Sequence, residues 1–130
     1  MIVLDTHVWL WWVNEDKHLL KPTWCEIIET SENIGVSAIS CFEVAWLERR
    51  RRITLPCPRS EWFQKAIEGS GIGLLGVSPD IASRAVDLAE HHGDPQDRII
   101  IATTLSFDGK LISADSKFPL YAELAGRLID

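Results

Sequence analysis

The sequence has 130 residues, and 46% of them are hydrophobic, which is enough apolar material for one packed core. This composition excludes collagen-like and disordered proteins, and no apolar run approaches the roughly 20 residues of a membrane span. A net charge of -6 argues against a protein that coats nucleic acid by bulk positive charge, but it allows a nucleic-acid enzyme with locally arranged charge. With no signal-peptide pattern at its start, the chain is expected to form a single cytoplasmic domain over residues 1–130.

Strands alternate with helices in the hydrophobic pattern. The predicted strands cover residues 2–4, 34–37, 74–77 and 110–113. The predicted helices are one through Trp9 and Val13, one from Pro22, one capped by Ser37 or Ser40 that ends in Arg49–Arg52, and then 61–68, 78–89 and 94–105. Because the strands lack a polar face, they predict a parallel sheet covered by helices on both sides, in an α/β sandwich.

The cysteines do not indicate a disulfide framework or a zinc site. Cys25, Cys41 and Cys57 are odd in number and widely spaced, and no two of them form a C-x-x-C pair. We expect them to be packing residues in a reducing compartment.

Four acids fall where a parallel sheet would gather them. Asp5 directly follows the first predicted strand, and Asp115 follows the strand at 110–113. Asp97 lies in the first turn of one helix and Glu43 in the first turn or two of another. These positions open onto the same edge of the sheet, where ligands bind in folds of this class.

Such a convergence requires a positive counter-ion. Two carboxylates about 5 Å apart repel by roughly 3 kcal/mol at an effective dielectric constant of 20. Carboxylate oxygens favour Mg²⁺ or Mn²⁺, which can activate water for the hydrolysis of a phosphodiester.

Each acid also has a structural interpretation. Asp94 and Asp97 bracket Pro95, where helix capping is the expected role by spacing alone. Glu43 can be an ordinary helix residue, and Asp115 can begin a turn with Ser116. Asp5 is the hardest to dismiss, because a carboxylate beside a buried strand is unfavourable unless it has a partner.

Four sequence motifs together resemble a known family. The runs DTHVWLWW (5–12), SAISCFE (37–43), DPQDRIIIAT (94–103) and LISAD (111–115) are similar in order and spacing to the motifs of PIN-domain ribonucleases. The similarity is closest to the VapC-type toxins of prokaryotic toxin-antitoxin modules. It implies a PIN-like three-layer sandwich whose central, mostly parallel sheet has four to five strands flanked by helices. It also implies a Mg²⁺- or Mn²⁺-dependent endoribonuclease.

The resemblance assigns roles to individual residues. Its four acidic positions fall on Asp5, Glu43, Asp97 and Asp115. Asp5 and Asp97 would be the primary metal ligands, and Glu43 and Asp115 would bind a second metal or act through water. Ser113 and Thr6 are candidates for positioning water or phosphate, and Asp94 is interpreted as structural.

The resemblance also implies partners. These are an RNA substrate and a cognate antitoxin that holds the toxin inactive by placing a basic residue against the acids. It further implies a homodimer, and a heterotetramer or larger assembly with the antitoxin.

Several other features have two interpretations. Arg49–Arg52 can contact RNA phosphates or complete the last turn of a helix. The six tryptophans are expected mainly in the core or a dimer interface, and His7 is expected to be packed. His91 and His92, near a helix end, suit the helix dipole or the guidance of RNA.

Two rival functions stay open. The first is Mg²⁺-dependent phosphoryl transfer through an aspartyl phosphate on Asp5, although His7 stands where related phosphatases have a second Asp. The second is a catalytically inactive PIN-fold regulator that binds RNA or protein.

Overall fold

Five parallel strands form the central sheet of the computed structural model, which describes residues 1–91 and 93–130. The strands are β1 (Ile2–Leu4), β2 (Ile34–Ser37), β3 (Gly73–Leu75), β4 (Lys110–Ile112) and β5 (Leu128–Ile129). Their spatial order is β3-β2-β1-β4-β5, and every pairing is parallel. The parallel sheet predicted from the apolar strands is therefore confirmed.

Helices connect the strands. They are α1 (Thr6–Val13), α2 (Pro22–Thr30), α3 (Ala38–Arg49), α4 (Arg59–Ile67), α5 (Pro79–Asp87) and α6 (Pro95–Ser106). The start signals in the sequence act as predicted, since the Ser37 and Ser78 side chains accept hydrogen bonds from the first turns of α3 and α5. Short 3-10 turns cover Lys17–Leu19, Phe118–Leu120 and Ala122–Leu124. Within the described ranges, none of the helices has the length and apolar character needed to cross a bilayer.

The core lies on both faces of the sheet. Successive residues of a strand point to opposite faces, and Val3 and Leu4 of β1 accordingly belong to different clusters. Leu4 packs with buried side chains from α1, α2 and α4, whereas Val3 packs with α6 and the 3-10 turns. This is the three-layer arrangement expected from the sequence.

Some predicted boundaries are wrong. β3 is an edge strand, and Leu74 on it is 51% exposed, so the expectation of strands covered on both sides does not hold there. β5 was not predicted, because two residues that complete a sheet edge carry no periodic signal. Helix α5 ends at Asp87 rather than Ala89, and α3 ends at Arg49, so the rest of the arginine run lies beyond the helix.

One arginine ties α6 to the end of α5. The Arg98 side chain donates hydrogen bonds of 2.6–3.0 Å to backbone carbonyl oxygens of residues 85, 86, 88 and 89. Carbonyl groups at a helix C-terminus have no partner within the helix, and a cation there also complements the helix dipole. The first turn of α6 is therefore anchored to the preceding helix.

Candidate active site

Asp5 lies where two central strands end side by side. Its backbone N–H donates to the Ile112 carbonyl over 3.0 Å, which places the ends of β1 and β4 together. The Asp5 Oδ1 atom accepts from the Thr6 backbone N–H at 2.8 Å, and Oδ2 accepts from the Ser113 hydroxyl at 2.7 Å. Asp5 is only 8% exposed, so hydrogen bonds hold the carboxylate in a fixed orientation.

Burial dominates the electrostatics of Asp5. It raises the pKa of this carboxyl above its ordinary value, because removal from water disfavours the charged form. The hydrogen bonds from Ser113 and Thr6, and the nearby His7, act in the opposite direction. The charge of Asp115 raises the pKa further, which shows that the two acids share one electrostatic environment.

Asp115 is placed by a turn after β4. Its backbone N–H donates to the Ser113 hydroxyl at 3.0 Å, and its Oδ1 atom accepts from the Lys117 backbone N–H at 2.7 Å. The turn predicted as its structural role is therefore present. The Ser113 hydroxyl contacts both the Asp5 carboxylate and the Asp115 backbone, so it couples the two acids.

Glu43 approaches from α3. Its Oε1 atom is buried and has no hydrogen-bond partner among the described residues. Burial raises the pKa of Glu43, the Thr6 hydroxyl lowers it, and the charges of Asp5 and Asp94 raise it. The interpretation of Glu43 as an exposed helix residue is therefore wrong.

A pair of buried hydroxyls lies beneath this carboxyl group. The Thr6 hydroxyl donates to the Ser40 hydroxyl at 2.8 Å, and both residues are fully buried. This bond joins the start of α1 to the first turn of α3, which places Thr6 in the structure that supports Glu43 and not on an open surface.

The first turn of α6 brings two more acids. Asp97 is half-buried there, and Asp94 is the N-cap residue but makes no capping hydrogen bond with its side chain. Capping by the Asp94 side chain is therefore a wrong prediction. Because its charge raises the pKa of Glu43, Asp94 belongs to the electrostatic environment of the site.

A small pocket opens beside Asp5. It encloses about 210 Å³ and is lined by Asp5, His7, Val8, Trp11, Ala114 and Asp115. His7 is exposed there, with its ring centroid 5.9 Å from that of Trp11, so the prediction of a packed His7 is wrong. A larger groove of about 800 Å³, between α1 and α4, contains none of the four predicted site acids.

The donor set is suited to a hard cation, although it is not assembled around one. In residues 1–91 and 93–130, no three His, Cys, Asp or Glu side chains stand together as a ready-made metal site. What the structure does contain is oxygen donors, mutually raised carboxyl pKa values, and a buried Glu43 oxygen without a hydrogen-bond partner. Oxygen donors of this kind are those that Mg²⁺ and Mn²⁺ prefer.

The remaining candidates lie further away. Arg49–Arg52 are exposed at the far end of α3, with Arg49 about 9 Å along the helix from Glu43 at 1.5 Å per residue. His91 lies beyond the end of α5 and packs edge-on against Tyr121 at 5.0 Å, so a role at the helix dipole is wrong. His92 lies outside the described residues.

Two contributors were missed by sequence reasoning. Ser40 was predicted only as an alternative helix cap, and Arg98 was quoted within a motif without a role. Ser40 supports Thr6, and Arg98 anchors the helix that carries Asp97. An arginine directly after an acid in a helix start was the one available signal for the second of these roles.

The tryptophans and cysteines occupy mixed positions. Trp9, Trp24 and Trp62 are in the core as predicted, but Trp46 is 40% exposed. The three cysteines are free thiols and half-buried, consistent with packing residues.

Comparison with known proteins identifies close relatives. The family model described as PIN domain matches residues 2–124. Ribonuclease VapC22 of Mycobacterium tuberculosis is 36% identical to this chain over 117 residues, which are 89% of this chain and 88% of the relative.

Solved structures show the same fold. The VapBC2 structure from Rickettsia felis, bound to a DNA fragment from their promoter, has a TM-score of 0.67 at 16% identity and covers 99% of this chain and 98% of the other. A toxin-antitoxin complex from Klebsiella pneumoniae has a TM-score of 0.63 at 20% identity and covers 100% and 97% of the two chains.

Proposed function

Because the chain belongs to the PIN-domain family, we propose that it is a metal-dependent endoribonuclease that hydrolyses RNA phosphodiester bonds. We further propose that it acts in the cytoplasm as the toxin of a type II toxin-antitoxin module. The name of the M. tuberculosis relative supports the ribonuclease activity, and the toxin-antitoxin complexes among the structural matches support the second proposal.

The observation that carries the proposal is the state of Asp5. A carboxylate that is 8% exposed, held on both oxygens and next to Asp115 is organised before any ligand arrives. Such a group is unfavourable in a purely structural role, because burial and a like charge both oppose its ionised form. A bound cation would reverse both effects.

We assign the ligand roles as follows. Asp5 and Asp97 hold Mg²⁺ or Mn²⁺ directly, and Glu43 and Asp115 bind a second ion or act through water. When bound, the cation supplies positive charge to the phosphodiester and activates water for attack.

The chain's own residues orient this chemistry. Ser113 fixes one Asp5 oxygen and the Asp115 backbone with a single hydroxyl. Thr6 fixes the other Asp5 oxygen through its backbone N–H, and its hydroxyl stands near the Glu43 carboxyl. Ser113 and Thr6 therefore position the acids, and through them water or phosphate.

We propose a cognate antitoxin, a homodimer, and a heterotetramer or larger complex of the two proteins. A basic antitoxin side chain would pair with the uncompensated acids, since an arginine can form two parallel hydrogen bonds with a carboxylate. Arg49–Arg52 would contact substrate phosphates, as exposed cations at the end of α3.

The aspartyl-phosphate rival has less support. A nucleophilic carboxylate must present an oxygen to its substrate, whereas both Asp5 oxygens already accept hydrogen bonds. Trapping a phosphorylated Asp5 would restore that rival.

The test is cleavage of end-labelled total RNA by the purified chain, without antitoxin, in Mg²⁺ or Mn²⁺. We expect discrete cuts that disappear in EDTA and in the Asp97→Asn variant. Asp80→Asn is the matched control, because Asp80 is the first-turn acid of α5 as Asp97 is that of α6.

Equal cleavage by Asp97→Asn and the unaltered chain would indicate a contaminating nuclease. No cleavage, together with no thermal stabilisation by either metal, would favour the inactive regulator instead.

A further inference from the structure

The outward side of α3 carries two large aromatic side chains that are accessible to solvent. Phe42 is 56% exposed and Trp46 is 40% exposed. Their rings are nearly parallel, with an interplanar angle of 13° and centroids 6.1 Å apart. A paired aromatic surface of this size on an exposed helix indicates an interaction site.

A cation completes this surface. The Arg50 guanidinium carbon lies 4.3 Å from the centroid of the Trp46 ring. We call Phe42, Trp46 and Arg50 the α3 aromatic face. Since these residues are spaced by four, they share one side of the helix and its C-terminal end, at intervals of about 6 Å.

The charge around this face has the opposite sign to that of the whole chain. Arg49–Arg52 are all exposed, although the net charge of the protein is -6. Glu48, the acid next to this run, is already paired with Arg59 at 2.9 Å. The end of α3 is therefore a local positive surface suited to a polyanion.

The face also starts at the candidate active site. Phe42 directly precedes Glu43, whose carboxyl is buried towards the acids. A strand that leaves the acids along α3 would meet two aromatic rings first and the arginines next.

We propose that the α3 aromatic face is a stacking platform for unpaired bases of the RNA substrate, with the neighbouring arginines contacting its phosphates. This inference rests on the proposed function and narrows the substrate to single-stranded or looped RNA, whose bases are free to stack on aromatic rings. A protein partner would account for the rings but not for the arginines beside them, so the charge favours RNA.

The test measures binding without cleavage. Fluorescence anisotropy of a short labelled single-stranded oligoribonucleotide is recorded with the full chain in EDTA. We expect the Phe42→Ala/Trp46→Ala variant to bind about tenfold more weakly or worse. Phe107→Ala is the matched control, because it removes a comparably exposed phenylalanine, 43% accessible, from the end of α6.

Two further probes separate stacking from charge. An abasic oligoribonucleotide of the same length should bind the unaltered chain more weakly than the intact one, and the double variant should no longer distinguish them. Arg51→Gln/Arg52→Gln should weaken both ligands alike and flatten the dependence of affinity on salt. Trp46→Phe, which keeps a ring, should retain binding and so exclude a simple folding defect.

The proposal is overturned if the double variant binds as tightly as the unaltered chain, or if intact and abasic ligands bind equally. It is also overturned if the unaltered chain binds neither ligand. Loss of self-association or of antitoxin capture, with RNA affinity unchanged, would assign the face to a protein interface. Because no metal is present, a chain that binds by stacking but never cleaves would refute the proposed function alone.

Discussion

The two sides of the candidate active site are prepared in different ways. On the strand side, both Asp5 oxygens accept hydrogen bonds from within the fold. On the helix side, Glu43 has a buried Oε1 atom without a partner among the described residues. Both carboxyls have raised pKa values, because burial acts on each.

The difference separates positioning from readiness. Asp5 is fixed in orientation by Thr6 and Ser113, so its direction does not depend on a ligand. Glu43 is desolvated but not satisfied, so it gains most when a ligand supplies the missing contact. The strand side therefore sets the geometry, and the helix side responds to occupancy.

The largest expected effect comes from removing the charge of Asp5 while keeping its shape. Asp5→Asn should reduce RNA cleavage by at least about 10³-fold, because a charged ligand and its electrostatic contribution are lost together. In EDTA its melting temperature should equal or exceed that of the unaltered chain, since repulsion with Asp115 and the desolvation of a charge both fall. Cleavage assays and thermal unfolding measure the two effects.

Asp5→Ala is the informative companion to that variant. It also removes the acceptor for the Thr6 N–H, so it should be destabilised by about 1 kcal/mol relative to Asp5→Asn. If Asp5→Asn instead unfolds in EDTA, the charge of Asp5 is required for folding, and the strand side is not a prepared ligand site.

A smaller effect is expected from Ser113. Ser113→Ala removes the hydroxyl that donates to Asp5 and accepts from the Asp115 backbone. We expect a 10–100-fold loss of metal affinity or activity, on the order of other residues that orient metal ligands. Ser83→Ala, at an exposed position of α5, is the control.

The measurement for Ser113→Ala is cleavage as a function of Mg²⁺ concentration. A shift in the metal requirement supports the positioning role, whereas an unchanged curve with a lower melting temperature would make Ser113 a structural residue only.

The smallest effect is a difference in pH dependence on the helix side. The folded-state pKa of Glu43 is raised, so the folded state keeps a proton that the unfolded state has already lost. The contribution of Glu43 to stability is thus complete below its ordinary pKa and is lost as the pH rises through the raised one. Urea unfolding in EDTA should show a stability that falls over this window and falls less in Glu43→Gln.

Added Mg²⁺ should reverse the trend, because a metal binds the deprotonated carboxylate. Its stabilising effect on the unaltered chain should grow over the same window and be reduced in Glu43→Gln. Parallel pH curves for the two proteins would show that Glu43 does not carry this titration.

Local signals predicted the strand side well. Asp5 follows an apolar run and Ser113 ends another, and parallel strands bring their carboxyl ends to one edge, so both positions could be derived from the sequence. The start of α3 was predictable for a similar reason, since Ser37 follows a strand and precedes a periodic helix.

Tertiary packing determines what the sequence could not show. The Thr6–Ser40 bond joins residues 34 positions apart, and it depends on how α1 and α3 meet. Asp94 has the local pattern of a capping residue, yet its side chain does not cap, and its charge acts on Glu43 across the fold. Strand β5 depends entirely on its pairing with β4, which is a non-local contact.

The Arg98 side chain has a consequence for local unfolding. Its bonds to four carbonyl groups at the end of α5 disappear together if either helix opens, so the end of α5 and the first turn of α6 form one cooperative unit. Amide hydrogen exchange in the two segments should then proceed at matched rates. The acids at positions 94 and 97 thereby share the persistence of a neighbouring helix to which they do not belong.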